Sequence, residues 1–395
     1  MKIDRANASH WLYLALFTLN VAIAIPLRWM SGRNRSGNVL LYGHKLNGNL
    51  AAIYEQAERM DGLLPPLVFL TMDPAYHRQL LADGKSSALA ISPRCITLLA
   101  RTRAVVSDHG LHALALLARF TRVRLFDVWH GIPYKGFDAQ DFAVQHRYDE
   151  TWVPSPLLKT MYVERFGFQA ERVQVTGYAR TDRLVDRHEP TEALRAQLGL
   201  ERTRGRRVVL FAPTWKQDAS GRSIFPFGVD QSAFFEGLSR VCRRAHAIVL
   251  FRAHLNSGVA RETVSDDVIS VPHAEFPDTE AILLLSDVLV CDWSSIAFDY
   301  LLLDRPTIFL DVEPPFVKGF SLGREYRFGA VVSGMDELLG RLEQALLDPD
   351  AYHREFSLRH AQVKAAVYGD YADGQSARRC LDRLQAFLSR DEFSR

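Results

Sequence analysis

Short apolar runs recur along this chain with room for one helix between successive runs, and that alternation restricts the fold more than any other feature. Residues 39–42, 67–70, 104–107, 125–129, 151–153 and 173–175 form a first series, with a helical stretch expected from Asn49 to Met60. Each run is short and bounded by turn residues, the pattern of strands buried on both faces of a parallel sheet. A polar, basic stretch at 199–207 interrupts the series, and a second one follows at 208–211, 247–251, 268–271, 288–291 and 307–310. Two such series predict an α/β protein of two doubly wound domains facing across a cleft. The expected boundaries are an N-terminal segment 1–35, a first domain 36–198, a linker 199–207 and a second domain 208–395. A last helix, about 376–388, could pack on either domain.

Composition narrows the class of function. A chain of 395 residues with 48% apolar and 24% charged residues is long enough for two folded cores. A formal net charge of +2 gives no reason to expect nucleic acid as a partner. The four cysteines, Cys95, Cys242, Cys291 and Cys380, are far apart, so neither a zinc site nor a disulfide framework is readable. No glycine-rich dinucleotide fingerprint, Walker sequence, HExxH or GxSxG occurs, which argues against dehydrogenases, P-loop enzymes and α/β-hydrolases.

Residues 11–27 are apolar apart from Thr18, Asn20 and Pro26, with Lys2 and Arg5 before them and Arg28, Arg33 and Arg35 after. The run is borderline for a spanning helix, which needs about 20 apolar residues. It also suits an interfacial anchor, a signal peptide cleaved near Ala22-Ile23-Ala24, or a buried helix. Asp4 and Asn20 weaken the signal-peptide reading, and membrane association by either of the first two routes is the expectation.

In open α/β sheets ligands bind beyond the carboxyl ends of strands, so those positions carry the candidate chemistry. Trp129-His130-Gly131-Ile132-Pro133-Tyr134-Lys135 follows one strand. A histidine there suits proton transfer from a hydroxyl, and Lys135 suits an anion. Arg252-Ala253-His254 follows another strand. Either histidine alone reads as a side chain satisfied inside a turn; two at corresponding places of two series point to function. Asp292-Trp293-Ser294-Ser295 sits at a strand-to-helix junction, a phosphate site or an ordinary helix cap. Arg180 and Asp182, in Gly177-Tyr178-Ala179-Arg180-Thr181-Asp182, read as a phosphate clamp or as a surface ion pair.

Taken in order, these segments resemble the CDP-glycerol glycerophosphotransferase family, the teichoic-acid primases and polymerases. The matching pieces are Trp129-His130-Gly131 with Pro133 and Lys135, Gly177 with Arg180 and Asp182, and Pro213-Thr214-Trp215-Lys216. They continue with His254, 286–290, Asp292 with Ser294-Ser295, Phe298-Asp299, Arg305-Pro306 and Asp373-Gly374. Departures from the family pattern fall at Ile132, Arg252, Leu255 and Trp293. The resemblance implies a GT-B fold of two Rossmann-like domains. The C-terminal one would bind a CDP-activated donor; the N-terminal one would present the acceptor and lie at the membrane.

The implied reaction is attack of an acceptor hydroxyl on the donor's β-phosphorus with release of CMP, in teichoic-acid-like or capsule polymer synthesis. No cofactor is implied, and no metal cage is visible. His130 would act as general base. His254, Ser294 and Ser295 would bind the donor pyrophosphate, with Thr214 and Lys216 on the same nucleotide side. Arg180 would contact a phosphate, Asp292 and Asp182 would orient partners, and Gly131, Lys135 and Asp299 would support the acceptor side. The implied partners are a CDP-alcohol, CDP-glycerol or CDP-ribitol among them, a lipid-linked or glycan acceptor, and the cytoplasmic membrane surface, with the catalytic domains on its cytoplasmic side. The rivals are a sugar-nucleotide glycosyltransferase and a catalytically silent scaffold of a polymer-assembly complex.

Overall fold

The computed structural model describes residues 3–4, 7–30, 37–60, 62, 64–187, 191–214, 225–252, 266–273, 275–314 and 316–393. The chain forms two compact units. The first comprises 1–130, 139–182 and 375–395, and the second comprises 131–138 and 183–374.

The first unit is built on seven parallel strands: β1 (Asn38–Tyr42), β2 (Leu67–Thr71), β3 (Ser87–Leu89), β4 (Thr102–Ser107), β5 (Arg124–Asp127), β6 (Glu150–Val153) and β7 (Val173–Val175). Their spatial order is β3-β2-β1-β4-β5-β6-β7. The chain therefore reverses its direction of winding between β1 and β4. Side chains alternate across this sheet as the pleat requires. Val39 and Leu41 face one layer, with the helix Gly48–Arg59 and with Leu381 and Leu384 of the C-terminal helix Ser376–Phe393. Leu40 and Tyr42 face the other, where Phe17, Val21 and Ile25 of the N-terminal helix Ala8–Met30 pack. Asp182 accepts backbone N–H bonds from Ser376 and Ala377 at 2.9 and 2.7 Å and so caps the C-terminal helix.

The second unit has six parallel strands: β8 (Arg207–Ala212), β9 (Ala247–Phe251), β10 (Val268–Ser270), β11 (Val288–Cys291), β12 (Thr307–Leu310) and β13 (Ala330–Val332). Their order is β10-β9-β8-β11-β12-β13, so winding reverses between β8 and β11. Phe211, Phe234, Phe235 and Phe251 form a ring cluster between this sheet and the helix Gln231–Arg244. Residues 133–136 belong to this unit because they pair with 319–322: Gly136 donates to Gly319 O at 2.7 Å and Ser321 to Tyr134 O at 2.8 Å. Only glycine fits at 136, where a Cβ would run into the carbonyls of Lys318 and Gly319.

Candidate active site

Each sheet gathers polar side chains where its winding reverses. In the first unit, β1 leads into Gly43-His44, β4 into Asp108-His109 and β5 through Val128 into Trp129-His130. The His109 and His130 rings stack nearly parallel, 4.8 Å apart and 11° inclined. The His44 ring lies 4.1 Å from that of His109. His130 Nδ1 lies 3.2 Å from Asp108 O. A carbonyl oxygen only accepts, so Nδ1 carries the proton and Nε2 presents its lone pair. Burial first, and then the charge of His109, push the His130 pKa down to about 4. The residue nonetheless keeps solvent exposure, which weakens the burial contribution, whereas the stacked His109 acts in the same direction at contact range.

The backbone before His130 is held in an unusual conformation. Trp129 has φ 41°, a left-handed value rare for a bulky residue. Asn49, at the start of the helix Gly48–Arg59, holds it there, donating to Val128 O at 2.8 Å and Trp129 O at 3.1 Å. Asn49 Oδ1 accepts the Arg180 N–H at 3.1 Å, and Arg180 Nη1 donates to His130 O at 2.7 Å. Asn49 thus links three segments and delivers Arg180 to the histidine that the sequence singled out. Asp127 is fully buried below them, and its Oδ2 has no partner among the described residues. Burial pushes its pKa up to about 7.

In the second unit, Asp292 follows β11 and joins the loop after β8. Its Oδ1 accepts from the Thr214 N–H at 2.8 Å, from the Thr214 hydroxyl and from the Trp293 N–H at 2.7 Å. Trp293 is buried, donates to Val312 O at 2.9 Å, and carries the Arg327 guanidinium 3.7 Å from its ring centroid. Arg327 in turn pairs with Asp311 at 2.9 Å. Ser294 and Ser295 follow, half-exposed, before the helix Ile296–Leu301. Ser295 has a helical backbone and makes no capping bond, so ordinary helix capping does not account for it.

Of the other residues singled out, Asp299 is buried within the helix Ile296–Leu301 and Gly131 is buried at the start of the second unit. The Lys135 ammonium lies 5.3 Å from the Phe137 ring centroid. Asp182 is engaged with the C-terminal helix, and Thr214 with Asp292. His254 and Lys216 lie outside the described residues. The sequence reading did not single out His44, Asp108, His109 or Asp127, although each sits at or just beyond a strand end. Among the described residues no group of histidine, cysteine, aspartate or glutamate side chains is arranged to hold a metal ion.

Two all-parallel sheets, each with its polar groups at the point where winding reverses, define a GT-B-type architecture. The chain belongs to the CDP-Glycerol:Poly(glycerophosphate) glycerophosphotransferase family, which it matches over residues 36–386. It is 28% identical over 302 residues to the teichoic acid ribitol-phosphate polymerase TarL of Staphylococcus aureus, covering 69% of this chain and 50% of that one. It is 25% identical over 297 residues to a teichoic acid glycerol-phosphate transferase of the same organism, covering 68% and 72%. The chain spans about half the length of the ribitol-phosphate polymerases it matches. The solved structure of the wall teichoic acid polymerase TagF shares the fold, with a TM-score of 0.75 over 95% of this chain and 94% of that one at 17% identity.

Proposed function

We propose that this protein transfers a polyol-phosphate unit from a CDP-alcohol to a hydroxyl of a lipid-linked or glycan acceptor, releasing CMP, in teichoic-acid-like or capsule polymer synthesis. The observation that carries the reading is the orientation of His130 in a chain of this family: Nδ1 is committed to Asp108 O, so Nε2 is the free base. Nε2 takes the proton of the acceptor hydroxyl as its oxygen attacks the donor's β-phosphorus. The bond from that phosphorus to the oxygen of the CMP phosphate breaks, and the electron pair leaves with CMP. Ser294 and Ser295, beside the Asp292–Thr214 link, bind the donor pyrophosphate, with His254 and Lys216 assigned to the same role. Arg180 meets a donor or acceptor phosphate. Asp292 holds the donor loops in place, and Asp182 does the same for the Arg180 segment by fixing its C-terminal end. The helix Ala8–Met30 places the protein at the cytoplasmic membrane surface, lying in the interface.

The test is CMP release from CDP-glycerol and CDP-ribitol by membranes carrying the protein. His130→Ala should lose about 10²–10⁴-fold in turnover, the usual worth of a general base, with thermal stability retained. Near-normal turnover in that variant would remove His130 from the mechanism. Release of a nucleoside diphosphate from a sugar nucleotide instead of CMP would overturn the reaction itself.

A further inference from the structure

We infer that Asp108 and His109 are positioning residues for His130: Asp108 fixes which ring nitrogen carries the proton, and His109 clamps the ring plane and opposes its charging. The inference rests on His130 being the base of the proposed transfer.

Asp108 acts twice from one position. Its backbone carbonyl receives His130 Nδ1, and its carboxylate Oδ1 lies 2.6 Å from His109 Nδ1. His109 is therefore held by the same residue that orients His130. Its backbone is held as well, with its N–H 3.2 Å from Ser107 Oγ and its carbonyl accepting from that hydroxyl at 2.8 Å. Gly43 lets the β1 loop close over this pair, since a Cβ there would run into the Asp108 carboxylate.

Parallel stacking at 4.8 Å points the N–H groups of each ring along the stack's edges and away from the other ring. The rings consequently exchange no hydrogen bond, and His109 cannot relay the proton that His130 takes. What remains to it is orientation and charge. The charged and titratable groups around His130 come from four elements: His44 after β1, Asp108 and His109 after β4, Asp127 on β5, and Arg180 on the turn Ala179–Thr181. After burial, His109 is the largest influence against a charged His130, Asp108 favours it, and Arg180 opposes it again. A base kept neutral is ready to accept a proton throughout the neutral range.

The experiment uses the full chain in detergent, with isotope-labelled histidine and the His130→Gln spectrum to assign the His130 signal. His109→Phe keeps a flat ring but loses its charge. The His130 midpoint should rise by about one pH unit, the scale expected for removing a neighbouring cation at this range in a partly solvated site. The acid limb of kcat/KM for CMP release from CDP-glycerol should move up with it. Asp108→Asn keeps the backbone carbonyl and removes the favourable charge, so the midpoint should fall further. If Asp108→Asn does not fold, His109→Gln supplies the second arm: it removes both ring and charge, and it should raise the midpoint as His109→Phe does. An unmoved His130 midpoint in both His109 variants overturns the inference. A moved midpoint in a protein that releases no CMP keeps the pairing and defeats the proposed reaction instead.

Discussion

Asp127 and Asp292 are both buried carboxylates at strand ends, yet their surroundings treat them oppositely. Asp292 receives three hydrogen bonds from the Thr214 and Trp293 segments. The neighbouring donors offset its burial, and the carboxylate holds two loops together. Asp127 receives one long bond, 3.4 Å from the Trp129 N–H, and its second oxygen has no partner among the described residues. With its folded pKa raised to about 7, Asp127 favours the fold while protonated, and that contribution is lost as pH rises from its unfolded value through about 7. Asp127→Asn preserves the acceptor for Trp129 and removes the titration. The variant should match the wild type near pH 4 and exceed its stability by a few kcal/mol, as an upper bound, at about pH 8. Urea unfolding at the two pH values checks this; equal stabilities at the higher pH would mean that the carboxylate is solvated after all.

At the scale of elements, the helix Ala8–Met30 has two apolar stripes with different fates. Phe17, Val21, Ala24 and Ile25 are buried against the sheet layer, while Leu12, Leu16, Leu19, Ile23 and Leu27 stay exposed. Polar side chains tie the buried stripe down. Asn20 donates to Ala90 O and Ser92 O at 2.8 and 3.0 Å, and Arg28 donates to Ala100 O and Thr102 O at 3.1 and 2.6 Å. Crossing a bilayer would require withdrawing that stripe, at about 1.5–3 kcal/mol for each large side chain, and breaking these bonds. A helix docked on one side and apolar on the other suits the membrane interface. Replacing Leu12, Leu16 and Leu19 with Gln should release the protein from membranes without lowering its melting temperature. Asn20→Ala should instead destabilise it by roughly 1–3 kcal/mol through the carbonyls it leaves unpaired. Retention of the triple variant in the membrane pellet would show that the stripe is not the anchor.

The strands were readable because runs such as 39–42 and 288–291 are buried on both faces and so are apolar throughout. The edge strands β3 and β13, three residues each, were not read from the sequence. The run read as 125–129 ends as a strand at Asp127, because Trp129 turns into the left-handed region. At the site, His130, Arg180, Asp292 and the serines stood out as residues after strands. The His109–His130 stack did not, because its rings come from the ends of different strands and meet only once β4 is known to lie beside β5. The capping of residue 376 by Asp182 depends in the same way on a distant return of the chain.

For the molecule as a whole, buried histidines make both units sensitive to acid. The second unit buries His360 beneath Tyr352, whose hydroxyl accepts the Thr307 N–H, donates to Thr307 O, and lies 3.0 Å from His360 Nε2. With that hydroxyl's proton committed to Thr307, His360 donates from Nε2. Burial pushes its pKa down to about 4. A histidine with a depressed folded pKa contributes stability that is fully present above its unfolded value and is lost as pH falls through the folded one. His360 is 3% exposed, so little of this is screened, and the loss between about pH 6.5 and 4 should reach up to roughly 3 kcal/mol. In the first unit His44 and His130 act in the same direction, with pKa values pushed down to about 3 and about 4, but Asp127 acts in the opposite one. The two histidines outweigh the aspartate, so acid weakens both units. Proteolysis in urea, with the surviving fragments identified, should show residues 183–374 cut at progressively lower denaturant as pH is lowered. His360→Phe keeps the ring volume and removes the titration, so its second unit should lose less stability over that range even if its starting stability is lower. An acid response of the second unit unchanged by His360→Phe would assign it to other groups.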